Sequence, residues 1–424
     1  MKKLCVVTML AALLFAVLFA ACGKKAESSG SNALVVWSFT DELDGMIKKY
    51  YQPAHPDMKI DYSLTPTEQF PNKLDPVLAS GQGAPDVFAL EDTFVRKYVE
   101  SGLLLDITDV YNEVKDKMIP YPVQIGSNNG KVYALSWQAA PGAVFYRRSL
   151  AKKYLGTDDP VEVQKFLKDG PTFLETAELL KQKSNGSCVI VSSIQDLFFP
   201  YKASRKTPWV VNGQFNIDPQ ILAYLDTAKI LHDKGYEGRA QQWAEGWFAG
   251  MQGTLKDERG SSVEVFSYFL PTWGLHYVLK TNAPDTAGDW AMAPGPMPYR
   301  WGGTWVGAYK GTTNPEGAKE MIRYLTTDDA FLEQYAKDSG DLVGNTVVIE
   351  KIKGGFSEPF LGGQNHYAEF AEMAKSVDGS LNQGTDQAIE SIFVEMGNAY
   401  VNGEKTRDQV VEDFKSQVSA QLGL

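Results

Sequence analysis

Apolar residues fall along this chain in two rhythms, short continuous runs and stripes at helical spacing. Residues 34–37 are Leu, Val, Val and Trp, the pattern of a strand covered on both faces. Thr40 then stands where a helix cap belongs. Leu43, Met46, Ile47 and Tyr50 follow at helical intervals, which predicts strand, tight loop and helix in succession. Residues 58–64 alternate as a second strand. Phe70, Leu74, Val77 and Leu78 mark another helix face, which Pro71 and Pro76 are expected to bend or shorten. Residues 86–90 read as a third strand, and Val95, Tyr98 and Val99 as a helix that stops at Gly102.

Asn129 and Gly130 predict a hairpin turn, with strands over 131–137 and 143–147. Between those strands, 138–142 changes direction with little bulk and reads as a first crossing between lobes. A second αβ unit spans 149–299, with a helix over 172–183, a strand over 189–192, a hairpin at Asn212 and Gly213 and a helix from Pro219. Asn314 and Pro315 open another helix, whose buried stripe is Ala318, Met321, Ile322 and Leu325. A shorter helix over 326–336 and a Gly-containing loop at 338–343, read as a further crossing, lead to a helical tail. In that tail Ile389, Ile392, Phe393 and Met396 form one face, and Val410, Val411, Phe414 and Val418 another.

Strands alternating with helices predict an α/β fold with parallel or mixed sheets, and ligands of such folds gather beyond the carboxyl ends of the strands. That rule singles out Thr40, Asp41 and Glu42 after the first strand, and Glu91 and Asp92 after the third. The same acids would also stabilise a helix N-terminus without touching any ligand, so both readings stand.

At 424 residues the chain is long enough for two lobes. Its net charge of -11 and the lack of a dense Lys/Arg cluster argue against nucleic acid as a partner. Nine Trp and twenty Tyr change the picture more, because flat rings are what a carbohydrate site needs. The Trp are scattered along the chain, but within 298–309 Tyr299, Trp301, Trp305 and Tyr309 share the stretch with Gly302, Gly303 and Gly307. This composition suits a cleft floor onto which a ligand can come close, and equally a buried aromatic strand. Trp243 and Trp247 could form a hydrophobic helix face. Trp273, just past Pro271, reads as an exposed ring.

The N-terminus has the form of a secretion signal: Lys2 and Lys3, an apolar run over 4–21 broken only by Thr8, then Cys22. Ala20 and Ala21 before Cys22 resemble a bacterial lipobox, with Phe19 where Leu is usual. This implies cleavage before Cys22 and lipid on its thiol. Residues 23–32 would be a polar tether, and Cys188 would remain as a lone thiol with no internal disulfide to make.

Catalytic signatures are sparse. The four His, at 55, 232, 276 and 366, lack zinc-enzyme spacing, and nucleophile-elbow, phosphate-loop and Cys-x-x-Cys motifs are absent. No catalytic residue, metal or cofactor is expected, although paired carboxylates keep a glycoside hydrolase open as an alternative.

Five segments follow one another in order: the opening strand at 34–37, Gly-Ala-Pro-Asp-Val at 83–87, Ser-Gly-Leu at 101–103, Gly-Lys-Val-Tyr-Ala-Leu-Ser-Trp at 130–137, and the Gly302 and Gly303 pair ahead of Asn-Pro-Glu-Gly-Ala at 314–318. Together they resemble extracellular solute-binding proteins of the sugar ABC-importer class, the family that includes maltose-binding protein. The stretch 248–255 departs from the family pattern. The resemblance implies a two-lobed type II periplasmic-binding-protein fold with mixed sheets and hinge crossings. Its lobes would be 33–138 with 304–340, and 139–303 with 341–424. It further implies a monomer, tethered to the membrane through Cys22, that hands a sugar to ABC permease subunits in the cell envelope.

A sugar presents an apolar face and a rim of hydroxyls, so rings and bidentate acceptors must combine. Each hydrogen bond nets only about 1 kcal/mol, whereas micromolar affinity takes about 8. The expected ligand set is therefore Thr40, Asp41, Glu42, Glu91, Asp92, Trp137, Gln138, Trp243, Trp247, Trp273, Trp301 and Trp305, sized for an oligosaccharide. A polyamine or peptide ligand, pairing with the acidic loops, is the other binding reading.

Overall fold

The computed structural model describes residues 33–424. The expected signal segment, Cys22 and the tether lie outside the described residues.

A five-stranded sheet and a four-stranded sheet form the two halves of the molecule. The first contains β1 (Ala33–Ser38), β2 (Lys59–Leu64), β3 (Val87–Glu91), β4 (Ala134–Ser136) and β9 (Thr304–Ala308), in the spatial order β2-β1-β3-β9-β4. The second contains β5 (Gly142–Arg147), β6 (Cys188–Val191), β7 (Glu264–Pro271) and β8 (Trp290–Ala293), in the order β8-β5-β7-β6. Both are mixed: β9 runs antiparallel to β3 and β4, and β5 runs antiparallel to β7 and β8.

The helices include α1 (Asp41–Met46), α2 (Phe70–Ser80), α3 (Phe198–Ala203), α4 (Pro219–Asp233), α5 (Glu245–Gln252), α6 (Pro315–Thr327), α7 (Asp329–Ser339), α8 (Asp386–Val401) and α9 (Arg407–Leu422). Thr40 caps α1 as expected, its Oγ1 accepting from Glu42 N at 3.2 Å. Helix α2 keeps eleven residues despite its prolines. Pro71 sits in the first turn, where its N–H would be unpaired anyway, and Pro76 removes only one intrahelical bond. Strand β1 was expected to be covered on both faces, yet Val35 and Trp37 are only half-buried. The exposed part of Trp37 lies under Lys73, whose Nζ is 4.2 Å from the ring.

Strand β9 is covered along its whole length and lies between β3 and β4. Trp305, expected at the cleft surface, is therefore sunk in the first sheet's core at 1% exposure, with its indole N–H donating to Pro122 O at 2.8 Å. Trp137 and Trp247, also expected at the cleft, are likewise fully buried. The Trp247 N–H donates to the Asp196 carboxylate at 3.1 Å from beneath α5, the core fate that its helical spacing allows. Cys188 is a buried free thiol in β6.

Two backbone segments, at 138–142 and 299–303, run from a strand of one sheet to a strand of the other, and a third, at 340–344 between α7 and the helix Thr346–Ile352, is bonded to the first of them. Ala139 N donates to Leu342 O at 2.8 Å, Gly344 N to Trp137 O at 3.0 Å and Gly142 N to Tyr299 O at 2.8 Å. Isolated bridges join Gln138 to Val343 and Pro141 to Arg300. The three segments thus form one ribbon.

Candidate functional site

The carboxyl ends of β1, β3, β4 and β7 converge where the crossings leave the sheets. A cleft of about 940 Å³ opens there between the halves. One wall comes from the segments that follow β1 and β2, with Phe39 to Glu42 on the first and Leu64, Thr67 and Glu68 on the second. The other wall brings Trp243, Trp273 and Tyr277. Glu91, Gln138, Trp301, Gly302, Gly303 and Thr304 form the floor.

The aromatic part is a single cluster. Trp301 stacks on Phe199 with centroids 4.2 Å apart, and meets Trp243 and Trp273 edge-on at 5.8 and 5.5 Å. Trp273 is held in place by its N–H, which donates to Trp301 O at 2.9 Å. Gly302 makes this possible. At φ 70° it takes a left-handed turn, and a side chain there would come within 3.0 Å of the Trp273 ring. Trp243 is 49% exposed and also adopts a left-handed backbone, at φ 68°, which is unfavourable for a bulky residue. Tyr277 is exposed to a similar degree, so the cleft presents open ring faces from two segments of its second wall.

Opposite the rings stand carboxylates with few cations to oppose them. One Glu91 oxygen accepts from Thr93 N and Oγ1, at 2.7 and 2.5 Å. Burial and the adjacent Asp92 charge push the Glu91 pKa up to about 7. Asp92 itself forms a buried ion pair with Arg300 of the second crossing. Glu42 accepts from the Tyr335 hydroxyl of α7, and burial raises its pKa against the effect of that bond.

Asp341, in the 340–344 segment, is fully buried, and its pKa rises to about 8, first through burial and then through the Glu42 charge. With its amide oriented by its neighbours, Gln138 donates to Asp341 Oδ2 at 2.6 Å and accepts from Thr304 N at 3.2 Å. The 340–344 segment and the cleft floor therefore share one polar network.

Thr40, Asp41, Glu42, Glu91, Gln138, Trp243, Trp273 and Trp301 line one cavity, and Asp92 lines a neighbouring one. Trp137, Trp247 and Trp305 line neither. Sequence reasoning passed over Tyr277, Phe199 and Lys202. The strand-end rule, applied to β6 as it was to β1, would have led to the aromatic run at 198–201. Among the described residues no group of His, Cys, Asp and Glu could hold a metal, and no helix is long and apolar enough to cross a membrane. Open rings facing acceptors and a carboxamide suit a ligand that has both apolar faces and hydroxyl or amine donors.

Residues 37–330 match the family model described as bacterial extracellular solute-binding protein. The arabinooligosaccharide-binding protein of Bacillus subtilis (strain 168) is 26% identical over 162 residues, which is 36% of this chain and 37% of that protein. The maltotriose-binding protein of Pyrococcus abyssi is 23% identical over 411 residues, covering 91% of this chain and 83% of that protein. Among solved structures, a binding protein from B. animalis subsp. lactis Bl-04, in complex with beta-1,6-galactobiose, superposes with a TM-score of 0.70 at 21% identity, over 91% of this chain and 96% of that one. An extracellular solute-binding protein of family 1 gives a TM-score of 0.78 at 19% identity, over 90% of this chain and 97% of that one.

Proposed function

The chain belongs to the bacterial extracellular solute-binding proteins, and from that premise we propose that it captures a sugar, in particular an oligosaccharide, in the cleft between its sheets and delivers it to an ABC permease. The observation that carries this reading is the cluster of Trp243, Trp273 and Trp301 facing Thr40, Asp41, Glu42, Glu91 and Gln138 across one cavity. Sugar-ring C–H faces would lie on the indoles, and hydroxyls would donate to the carboxylates. Glycan names recur among the relatives, in the maltotriose- and arabinooligosaccharide-binding proteins and the galactobiose complex.

In this reading the lobes are 33–138 with 304–340 and 139–303 with 341–424, and they close on the ligand by bending the bridged crossings. The family and its relatives are described as binding proteins, which sets the glycoside-hydrolase alternative behind. Lipidation at Cys22 would keep the domain, as a monomer, beside its permease on the outer face of the membrane. Radiolabelled palmitate incorporated by the full chain and lost in Cys22→Ala would support this, and equal labelling of the two would retire it.

The uncompensated acids Glu42 and Glu91 favour a second reading, a cationic solute such as a polyamine or a basic peptide. Titrating the protein with a glycan panel, spermidine and basic peptides separates the two. Intrinsic Trp fluorescence and calorimetry report binding, and mass spectrometry reports any product. A response to glycans without turnover is expected. A response confined to amines would overturn the sugar assignment, and hydrolysed product would overturn the non-enzymatic one.

A further inference from the structure

The cleft continues past Trp243 into a second chamber of about 430 Å³, and Glu91, Trp243, Trp301 and Gly302 line both spaces. Helix α8 forms the far wall. It turns Gln387, Glu390, Ser391 and Val394 to the chamber, a spacing that puts them on one helix face. Gln387 and Ser391 are exposed there, and the Ser391 hydroxyl donates back to Gln387 O at 2.8 Å, which leaves its oxygen as an acceptor beside the Gln387 amide. The near side is aromatic, built from Phe198, Phe199 and Tyr224. At the base Lys202 Nζ meets Glu390 Oε2 at 2.9 Å, and both side chains are only 13% exposed.

A desolvated ion pair of this kind is weak evidence for stability. Here it also leaves the chamber's cation and its facing carboxylate spent on each other. Helix α8 lies outside the residues 37–330 that the family model matches.

We infer that this chamber is a second binding compartment, which takes the uncharged sugar units of a glycan beyond those seated against Trp243 and Trp273, and thereby sets the preferred chain length. The inference rests on the glycan reading above. Rings on one side and the Gln387 amide, the Lys202–Glu390 pair and the shared Glu91 on the other give the chamber an apolar face and hydrogen-bonding groups, as in the main cleft. A volume of about 430 Å³ lies within the range of small-molecule sites, about 300–1,000 Å³. A uronate unit would have to compete with Glu390 for Lys202, whereas a neutral unit leaves the pair intact.

The test is calorimetry with malto-, arabino- and galacto-oligosaccharide series, from monomer to pentamer, on the natural chain and on Ser391→Trp and Gln387→Trp. Both substitutions fill the chamber from exposed helix positions, and thermal melts confirm that the variants fold. For the series that binds, affinity is expected to rise by about tenfold or more from the shortest bound member to the longest. Each Trp variant should lose that rise while holding the shortest member within about twofold, a difference of about 0.4 kcal/mol. No gain with length, or variants that bind long chains as the natural protein does, would overturn the second compartment alone. Failure of all three series to bind would overturn the glycan reading itself, and this inference with it.

Discussion

The indoles of Trp243 and Trp273 lie parallel, with planes 5° apart and centroids separated by 6.3 Å. They come from different segments of the second wall. Trp273 is pinned by its bond to the Trp301 carbonyl, while Trp243 stands half in solvent on a left-handed backbone. The cluster therefore has one fixed ring and one placed at some conformational expense.

Replacing Trp243 by glycine separates ring from backbone. A left-handed conformation costs an L-residue about 1–2 kcal/mol, and glycine's extra unfolded freedom offsets roughly 1 kcal/mol of that relief. Trp243→Gly should melt close to the natural protein while losing about tenfold or more in glycan affinity. Thermal melts and calorimetry check this pair of outcomes. Unchanged affinity would remove Trp243 from the site.

Asp92 and Arg300 join the end of β3 to the second crossing, and their side chains are 7% and 6% exposed. Removing one partner leaves a buried charge without its counterpart. Arg300→Met is expected to destabilise by about 3–5 kcal/mol, and adding Asp92→Asn should restore much of that loss. Urea unfolding of both single variants and the double variant measures the coupling. Simple additivity would contradict it.

Asp341 gives a pH dependence of definite sign. Its folded pKa of about 8 lies above the value of about 3.9 expected in an unfolded chain, so the folded state keeps a proton that the unfolded state releases between them. Its stabilising contribution is full in acid and is lost as pH rises through about 8. Asp341→Asn, which cannot ionise, should flatten the melting profile over that window and melt above the natural protein at its alkaline end. Parallel profiles would show that Asp341 does not carry the effect.

Gly302 has room for no side chain, because a Cβ would stand 3.0 Å from Trp273 Nε1 and φ is 70°. Gly302→Ala should therefore destabilise by about 1 kcal/mol or more and displace the ring that it supports. Glycan affinity should fall with it, whereas Gly83→Ala, also left-handed but with open space around it, should lower stability alone. Comparable binding losses in the two variants would mean that the ring contact is irrelevant.

Local patterns carried most of the architecture. The Thr40 cap, the Asn129-Gly130 turn and the start of α6 at Pro315 all appear where their chemistry requires, because each depends on a few neighbouring residues. The cleft was legible where strand ends could be counted, at Thr40, Glu42 and Glu91. It was misleading at Trp305, where an aromatic residue near glycines could belong to a surface or to a central strand, and only the partners β3 and β4 decide between them. Tyr277 and the wall of α8 could not be read at all, since they meet the cleft through contacts between distant parts of the chain.

The three segments are laced together by main-chain bonds from Trp137 to Gly344. Trp243 takes no part in that lacing, sitting instead on a solvent-facing bend ahead of α5. One ring of the cluster is therefore carried outside the laced segments, whereas Trp301 belongs to them. Over generations that bend can exchange one residue for another while the laced segments beneath it stay untouched.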